Sequence, residues 1–365
     1  MSEADRAPQA IPGRRAAAIA LFALVLGLLV TYAVSHALDN SLRAEAQARF
    51  EGAERRLEVD VLRRINQAQY GLRGLAATYA SNGDLTPEQF RDWVQARDLP
   101  GEFHGVLGFG VIRRVARTNL ESFTAQMRKA DPDFTVRTGG NQPDLYVVTD
   151  IEPRSANLSA YGADVGQEAP RRQAIERAVA TGQMALTDRI AVLQDSTRRA
   201  GWMMVLPIFR RGEDPATPEA RKRALVGVVY ARMAAAEVLA EVGNTFAPEV
   251  DFRLYDGPVD QSQLLFDSTD PARQPLSTGA RNGWDDRELR EVRVLGVGGQ
   301  ELTLDVAGTP AIEPAAIVPI TAALLGMLLS AALAFSIWQL ANARRKAEEL
   351  AQGMTQDLQR AARGL

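Results

Sequence analysis

Three carboxylates stand close together in the chain, at Asp150, Glu152 and Asp164, with Arg154, Arg171 and Arg172 among and after them. Two carboxylates facing each other across a cleft could hydrolyse a glycosidic bond, one as acid and the other as base or nucleophile. The nearby arginines make ion pairing within the fold an equal account of the same acids. Other chemistries have fewer candidates still. The chain has no cysteine, which excludes disulfides, thiolate metal sites and a Cys nucleophile. Its two histidines, His36 and His104, lie in different segments, so no His-rich metal centre can be assembled. The sequence contains no Gly-rich phosphate loop, GxSxG elbow or HExxH motif. Gly296, Gly298 and Gly299 lie between two strand-like runs and read as a hairpin turn. No metal, no cofactor and no nucleophile–base pair can be named, so an enzyme is not expected. A net charge of -3 argues against a nucleic-acid partner.

The polar residues that remain of interest fall within residues 145–209, where three strand-like apolar runs enclose a short helix. The rest of the chain reads as the means of holding that stretch outside a membrane. Residues 1–15 form a polar cytoplasmic tail. Residues 16–37 form a first transmembrane helix, uncharged over 16–34; a cleaved signal peptide is the alternative, since Ser35-His36-Ala37 resembles a cleavage site. Residues 38–82 carry apolar positions every three to four residues and read as a stalk helix, with Leu57, Val61 and Ile65 as candidate seam of a parallel homodimer. Residues 83–212 form a membrane-distal ligand module, and residues 213–312 a membrane-proximal one that begins after a charged loop. Thr86-Pro87-Glu88-Gln89 and Thr118-Asn119-Leu120-Glu121 read as capping boxes opening helices. Residues 315–340 form a second transmembrane helix. Residues 341–365 follow with a 4–3 apolar spacing, a short cytoplasmic coiled coil. Arg14 and Arg15 before the first span, and Arg344, Arg345 and Lys346 after the second, place both ends in the cytoplasm. The expected fold is α+β: a long stalk helix followed by two tandem PAS-like modules with mostly antiparallel sheets, flanked by two transmembrane helices. The Ala- and Arg-rich composition suggests a bacterial inner membrane and a periplasmic sensor region.

The central stretch resembles a CHASE domain, the extracytoplasmic sensory module of histidine kinases and cyclic-nucleotide and cyclic-dinucleotide enzymes. The residues that carry the resemblance are Ile151-Glu152-Pro153, Asn157, Gly162-Ala163-Asp164, Arg171-Arg172, Ala178 through Gly182, Leu186-Thr187, Val192-Leu193-Gln194 and Met204 through Ile208. The resemblance implies a receptor whose membrane-distal module holds a small molecule; plant members read cytokinins, so an adenine-derived ligand is one expectation. Those members use an Asp at the end of the strand matching residues 147–152 and a Thr in a Leu-Thr pair. Glu152 falls nearest the first position, and Leu186-Thr187 matches the second. The expected ligand-binding set is Glu152, Thr187, Asn157, Asp164, Leu186, Met204 and Leu206, on the sheet and on the segment 157–164 facing it. For Asp164, after Gly162 in a turn, a turn-stabilising hydrogen bond is the favoured role over ligand contact. A Glu152 carboxylate would ask its ligand for an N–H or a positive charge. The signal is expected to pass to a cytoplasmic output domain or protein outside this sequence. An extracytoplasmic membrane-anchored hydrolase and a ligand-independent membrane adaptor are the alternatives.

Overall fold

The computed structural model describes residues 12–194, 197–213, 215–247, 249–270, 289–308 and 313–363. Residues 1–11 of the expected tail, the turn at 195–196 and Leu365 at the end of the expected coiled coil lie outside the described residues. The chain divides into two compact units, residues 1–49 with 310–365, and residues 50–309.

The expected first span and stalk form one helix, α1 (Pro12–Asn82), and the expected second span and tail form another, α8 (Glu313–Arg363). Both are long and apolar enough to cross a membrane. Within the first unit, Leu21, Phe22, Leu29 and Tyr32 of α1 and Leu328, Leu329 and Phe335 of α8 are exposed. Large apolar side chains left exposed at this density suit lipid rather than water. The two helices meet at small residues. A Cβ at Gly27 would lie 2.5 Å from the Ser330 hydroxyl, and one at Gly326 would lie 2.4 Å from Thr31. Each hydroxyl donates back to the glycine carbonyl on its own helix, Thr31 to Gly27 at 2.8 Å and Ser330 to Gly326 at 2.7 Å. Such small-residue contacts allow helix backbones to approach closely where lipid removes the hydrophobic drive to pair.

In the second unit, α1 presents Phe50, Ala53, Leu57, Val61, Ile65, Ala68, Leu72, Leu75 and Tyr79 as one buried stripe. This overturns the dimer seam expected at Leu57, Val61 and Ile65. Those three are fully buried in the chain's own core, because the stripe is satisfied by both sheets of the same subunit. α2 (Pro87–Gln95) has the expected capping box between Thr86 and Gln89. The second expected box does not form: α4 (Leu120–Met127) follows a 3-10 turn, and no side chain caps it. A short α3 (Leu99–Glu102) leads into the first sheet.

That sheet contains β1 (Val106–Ala116), β2 (Asp144–Glu152), β3 (Ala185–Leu186), β4 (Ile190–Gln194), β5 (Thr197–Phe209) and β6 (Leu225–Ala234). Its order is β2-β1-β6-β5, with β3 and β4 both on the far edge of β5, and every pairing is antiparallel. Helix α5 (Ala169–Thr181) buries Ala174, Ile175, Ala178 and Val179 against one face, and α1 covers the other. The second sheet has the order β8-β7-β10-β9, from β7 (Val250–Asp256), β8 (Leu264–Asp267), β9 (Arg290–Val297) and β10 (Gln300–Gly308). Its hairpin turns at Gly298 and Gly299, both at positive φ, as the glycines suggested. α7 (Ala235–Phe246) joins the two sheets.

Two antiparallel sheets with helices, placed after a long first helix, match the expected α+β, PAS-like class. The division between them is displaced from the one expected at 212/213. β6 was expected to open the proximal module, yet it lies in the middle of the first sheet, between β1 and β5. The charged segment before it holds α6 (Pro218–Ala224), so it is a connection within the module. The first sheet therefore ends at Ala234.

Candidate functional site

The two faces of the first sheet differ, and alternation along each strand assigns every side chain to one of them. On β5, Met203 and Val205 point toward α5; on β6, Val228 and Tyr230 do so. Their neighbours Trp202, Met204, Val229, Ala231 and Met233 point toward α1. On the α5 face the packing is incomplete. A cavity of about 530 Å³ remains between the sheet, the start of α5, the strand β4 and residues 159–165. It is of ligand size, and its apolar lining includes Val148, Ile190, Val192 and Met203.

The polar lining is mostly basic. Among the described residues, Arg171, Arg189 and Arg232 border the cavity, with Glu168 as the acid and Ser159 as a neutral polar residue among them. Arg171 Nη1 lies 2.8 Å from Glu168 Oε1, but its buried Nε has no hydrogen-bond partner. Arg232 stands opposite Met203 on β5, two residues from Tyr230 and so on the same face. Burial holds the Arg232 guanidinium below its ordinary value, the Tyr230 hydroxyl opposes this, and the Arg171 charge adds to the lowering. Tyr230 is 1% exposed, and its hydroxyl has no partner. Burial raises the phenol well above its usual range, so it stays protonated as a donor. Its ring lies across β1 at Gly110, where a Cβ would come within 2.4 Å of the ring. A buried donor without an acceptor is costly in a closed fold, and here two border the same cavity.

The residues expected from sequence are placed elsewhere or braced internally. Thr187 is fully buried; its hydroxyl accepts from Met203 N at 3.0 Å, and its own N donates to Met203 O at 3.0 Å. Leu186 and Met204 are fully buried on the α1 face, and Leu206 packs against that same core. Asp164 Oδ1 accepts from Tyr146 N and Gly166 N, and its Oδ2 accepts from Thr138 at 2.8 Å. It braces the turn after Gly162. Asn157 donates to Pro153 O at 2.6 Å. Glu152 accepts from Arg91 Nε at 3.3 Å and from Arg154 N at 3.1 Å. Glu152 and Asn157 border a different cavity, of about 760 Å³, beside α2 and α3. That cavity is larger, but most of its charged groups are engaged: besides Glu152 and Asn157, Arg97 pairs with Glu102 at 3.2 Å and Asp98 caps Gly101 N at 3.3 Å. Arg232 borders both cavities.

Sequence reading passed over Tyr230, Arg232 and Arg189. A signal for the first two exists: a Tyr and an Arg two residues apart in an otherwise apolar strand share a face. Arg189 has a second role. The end of β3 and the segment after it are tied to the second sheet: Leu186 N donates to Gly298 O at 3.0 Å, Asp188 bonds Gln300, Arg189 N bonds Asp256, and Arg189 Nε donates to Leu264 O at 3.1 Å. Among the described residues, no group of three or more acidic or His side chains could hold a metal ion.

A family model described as the CHASE domain matches residues 83–266. No curated protein matches the sequence. Among solved structures, a chain titled Methyl-accepting Chemotaxis protein X is 12% identical, with a TM-score of 0.43, covering 73% of this chain and 98% of that one. The periplasmic sensory domain of the Campylobacter jejuni chemoreceptor Tlp1 is 10% identical, with a TM-score of 0.41, covering 75% and 96%. The ligand-binding domain of the Pseudomonas aeruginosa amino acid chemoreceptor PctC, in complex with GABA, is 13% identical, with a TM-score of 0.38, covering 69% and 94%.

Proposed function

This chain belongs to the CHASE domain family, and from that premise we propose that it is a transmembrane receptor reading a small extracytoplasmic ligand in the cavity beneath α5. The observation that carries the reading is the unpartnered Tyr230 hydroxyl, buried at the edge of a ligand-sized space. In the reading, α1 and α8 each cross the inner membrane once, the sheets lie in the periplasm, and both helix ends meet a cytoplasmic output. The role is sensing rather than catalysis. Mass spectrometry of small molecules released from the purified full chain tests it: a stoichiometric compound should appear with the wild type and be depleted with Tyr230→Phe. Equal recovery from both would place the ligand elsewhere and overturn the assignment.

A homodimer belongs to the same reading, with its contact on the outer face of α1. Val59 and Tyr70 there are 63% and 74% exposed. In a chain without cysteine, Val59→Cys should cross-link between subunits under mild oxidation and Leu57→Cys should not. The reverse pattern, or no cross-link at either, rejects a dimer through this face.

A further inference from the structure

The hairpin between β9 and β10 ends on the first sheet. Its tight turn accounts for glycine at 298 and 299, both at positive φ, but not for how closely the turn is packed. A Cβ at Gly298 would lie 2.7 Å from Leu186 N and 2.8 Å from the Met184 sulfur, and one at Gly299 would lie 2.9 Å from Arg177 Cδ. The same two glycines therefore let the turn sit against β3 and α5. Leu186 is held there from two elements: its N donates to Gly298 O at 3.0 Å, and its O accepts from Arg177 Nη2 of α5 at 2.7 Å. The ties continue through Asp188 to Gln300, and through Arg189 to Asp256 and Leu264. β4 begins at the next residue, Ile190, and forms a wall of the α5 cavity with Ile190, Ala191 and Val192. Among the described residues β4 pairs with β5 alone, so the second sheet helps to fix where this wall starts.

The joint also carries an opposing force. Burial raises the Asp256 carboxyl above its ordinary value, the bond from Arg189 N lowers it, and the Asp188 charge raises it again. Each of these two carboxylates bonds to a donor on the other sheet, Asp188 to Gln300 and Asp256 to Arg189 N. Docking thus brings like charges together, and a contact opposed in this way can open without unfolding either sheet.

We propose that the Gly298–Gly299 hairpin is a latch on the α5 cavity. Docked on β3 and α5, it holds the β4 wall in place; undocked, it lets that wall move away from α5. The latch rests on the sensor reading of this cavity for its use, but its test reads the wall with no ligand present, so the two fail separately.

The test is hydrogen exchange on the full chain in lipid nanodiscs. Gln300→Ala removes the bond to Asp188, and Gly298→Ala places a methyl group against Leu186 N. Either should speed exchange of the amides at Ile190–Val192 roughly fivefold, the factor for about one lost hydrogen bond. These amides make no bond to the second sheet, while the β1–β2 and β9–β10 ladders should keep their wild-type rates. In a chain without cysteine, Ile190→Cys should also react faster with a maleimide once Gln300→Ala is added. If Gly298→Ala loses the β9–β10 ladder itself, Gln300→Ala decides. Wild-type exchange and labelling at the β4 wall, with the hairpin undocked but folded, would make the hairpin a passive contact. Equal acceleration of every ladder would mean loss of the whole fold, and it would overturn a local latch as well.

Discussion

The two sheets of the second unit handle buried polar groups in opposite ways. In the second sheet, Asp305 is fully buried and accepts from Arg290 Nε at 2.8 Å and Nη2 at 2.9 Å. Ser268 accepts from Phe252 N at 2.9 Å, and Arg253 bonds Asp267 at 2.8 Å. On the α5 side of the first sheet, Tyr230 of β6 and Arg171 of α5 keep buried donors without partners beside the cavity. Tyr79 and Trp202 also bury an unpartnered polar atom, but they do so in the packed core against α1. Burial without a partner is therefore not by itself a mark of recognition. Under the proposed function the combination with a cavity is: the α5 side of the first sheet would be completed by a ligand, while the described polar groups of the second sheet are paired within the chain.

If that contrast is right, removing a polar group from the second sheet damages folding, and removing one from the first damages binding. Asp305→Ala should produce the largest loss, about 2–3 kcal/mol of unfolding free energy. That is below the ~3–5 kcal/mol of a fully buried pair, because Arg290 keeps 35% of its side chain exposed and is partly screened. Chemical unfolding followed by fluorescence measures it, and a loss under ~0.5 kcal/mol would erase the distinction. Gly110→Ala should cost about 1–3 kcal/mol through overpacking and should also weaken ligand binding, since the new methyl group displaces the Tyr230 ring. Full affinity in that variant would mean that the ring position is irrelevant to recognition.

The smallest effect concerns pH. Burial raises Asp150 above the ordinary carboxylate value, against a lowering by its bond from Thr149 at 2.9 Å. A raised folded value means that Asp150 favours the fold fully below the ordinary Asp range and loses that contribution as pH rises through the raised value. Asp150→Asn should match wild type in acid and be the more stable protein at neutral pH. Parallel stability curves across that window would show that Asp150 is ionised without penalty.

Local punctuation was legible in the sequence, and long-range pairing was not. The Thr86–Gln89 capping box, the Gly298-Gly299 hairpin and the α1 stripe each follow from spacings of a few residues. The membership of β6 depends on pairings with β1, more than 100 residues earlier, and with β5 across the charged segment; no local signal reports either. The face assignment failed for a related reason. β5 reads Trp-Met-Met-Val-Leu-Pro-Ile-Phe and is covered on both sides, so alternation gives no preference between Met203 and Met204. Choosing Met204 and Leu206 selected the side facing α1. Glu152 was legible as a conspicuous acid, but its partners Arg91 and Arg154 come from α2 and from the following turn, and only the fold brings Arg91 near.

Arg189 borders the cavity with one part of its surroundings and holds Asp256 and Leu264 of the second sheet with another. A single residue touching both places gives a ligand in the proposed site a direct route to the second sheet. If the ligand binds one setting of Arg189 better than another, that preference extends to the second sheet, and the coupling is then reciprocal: whatever fixes the second sheet changes ligand affinity by the same factor by which the ligand changes the sheet.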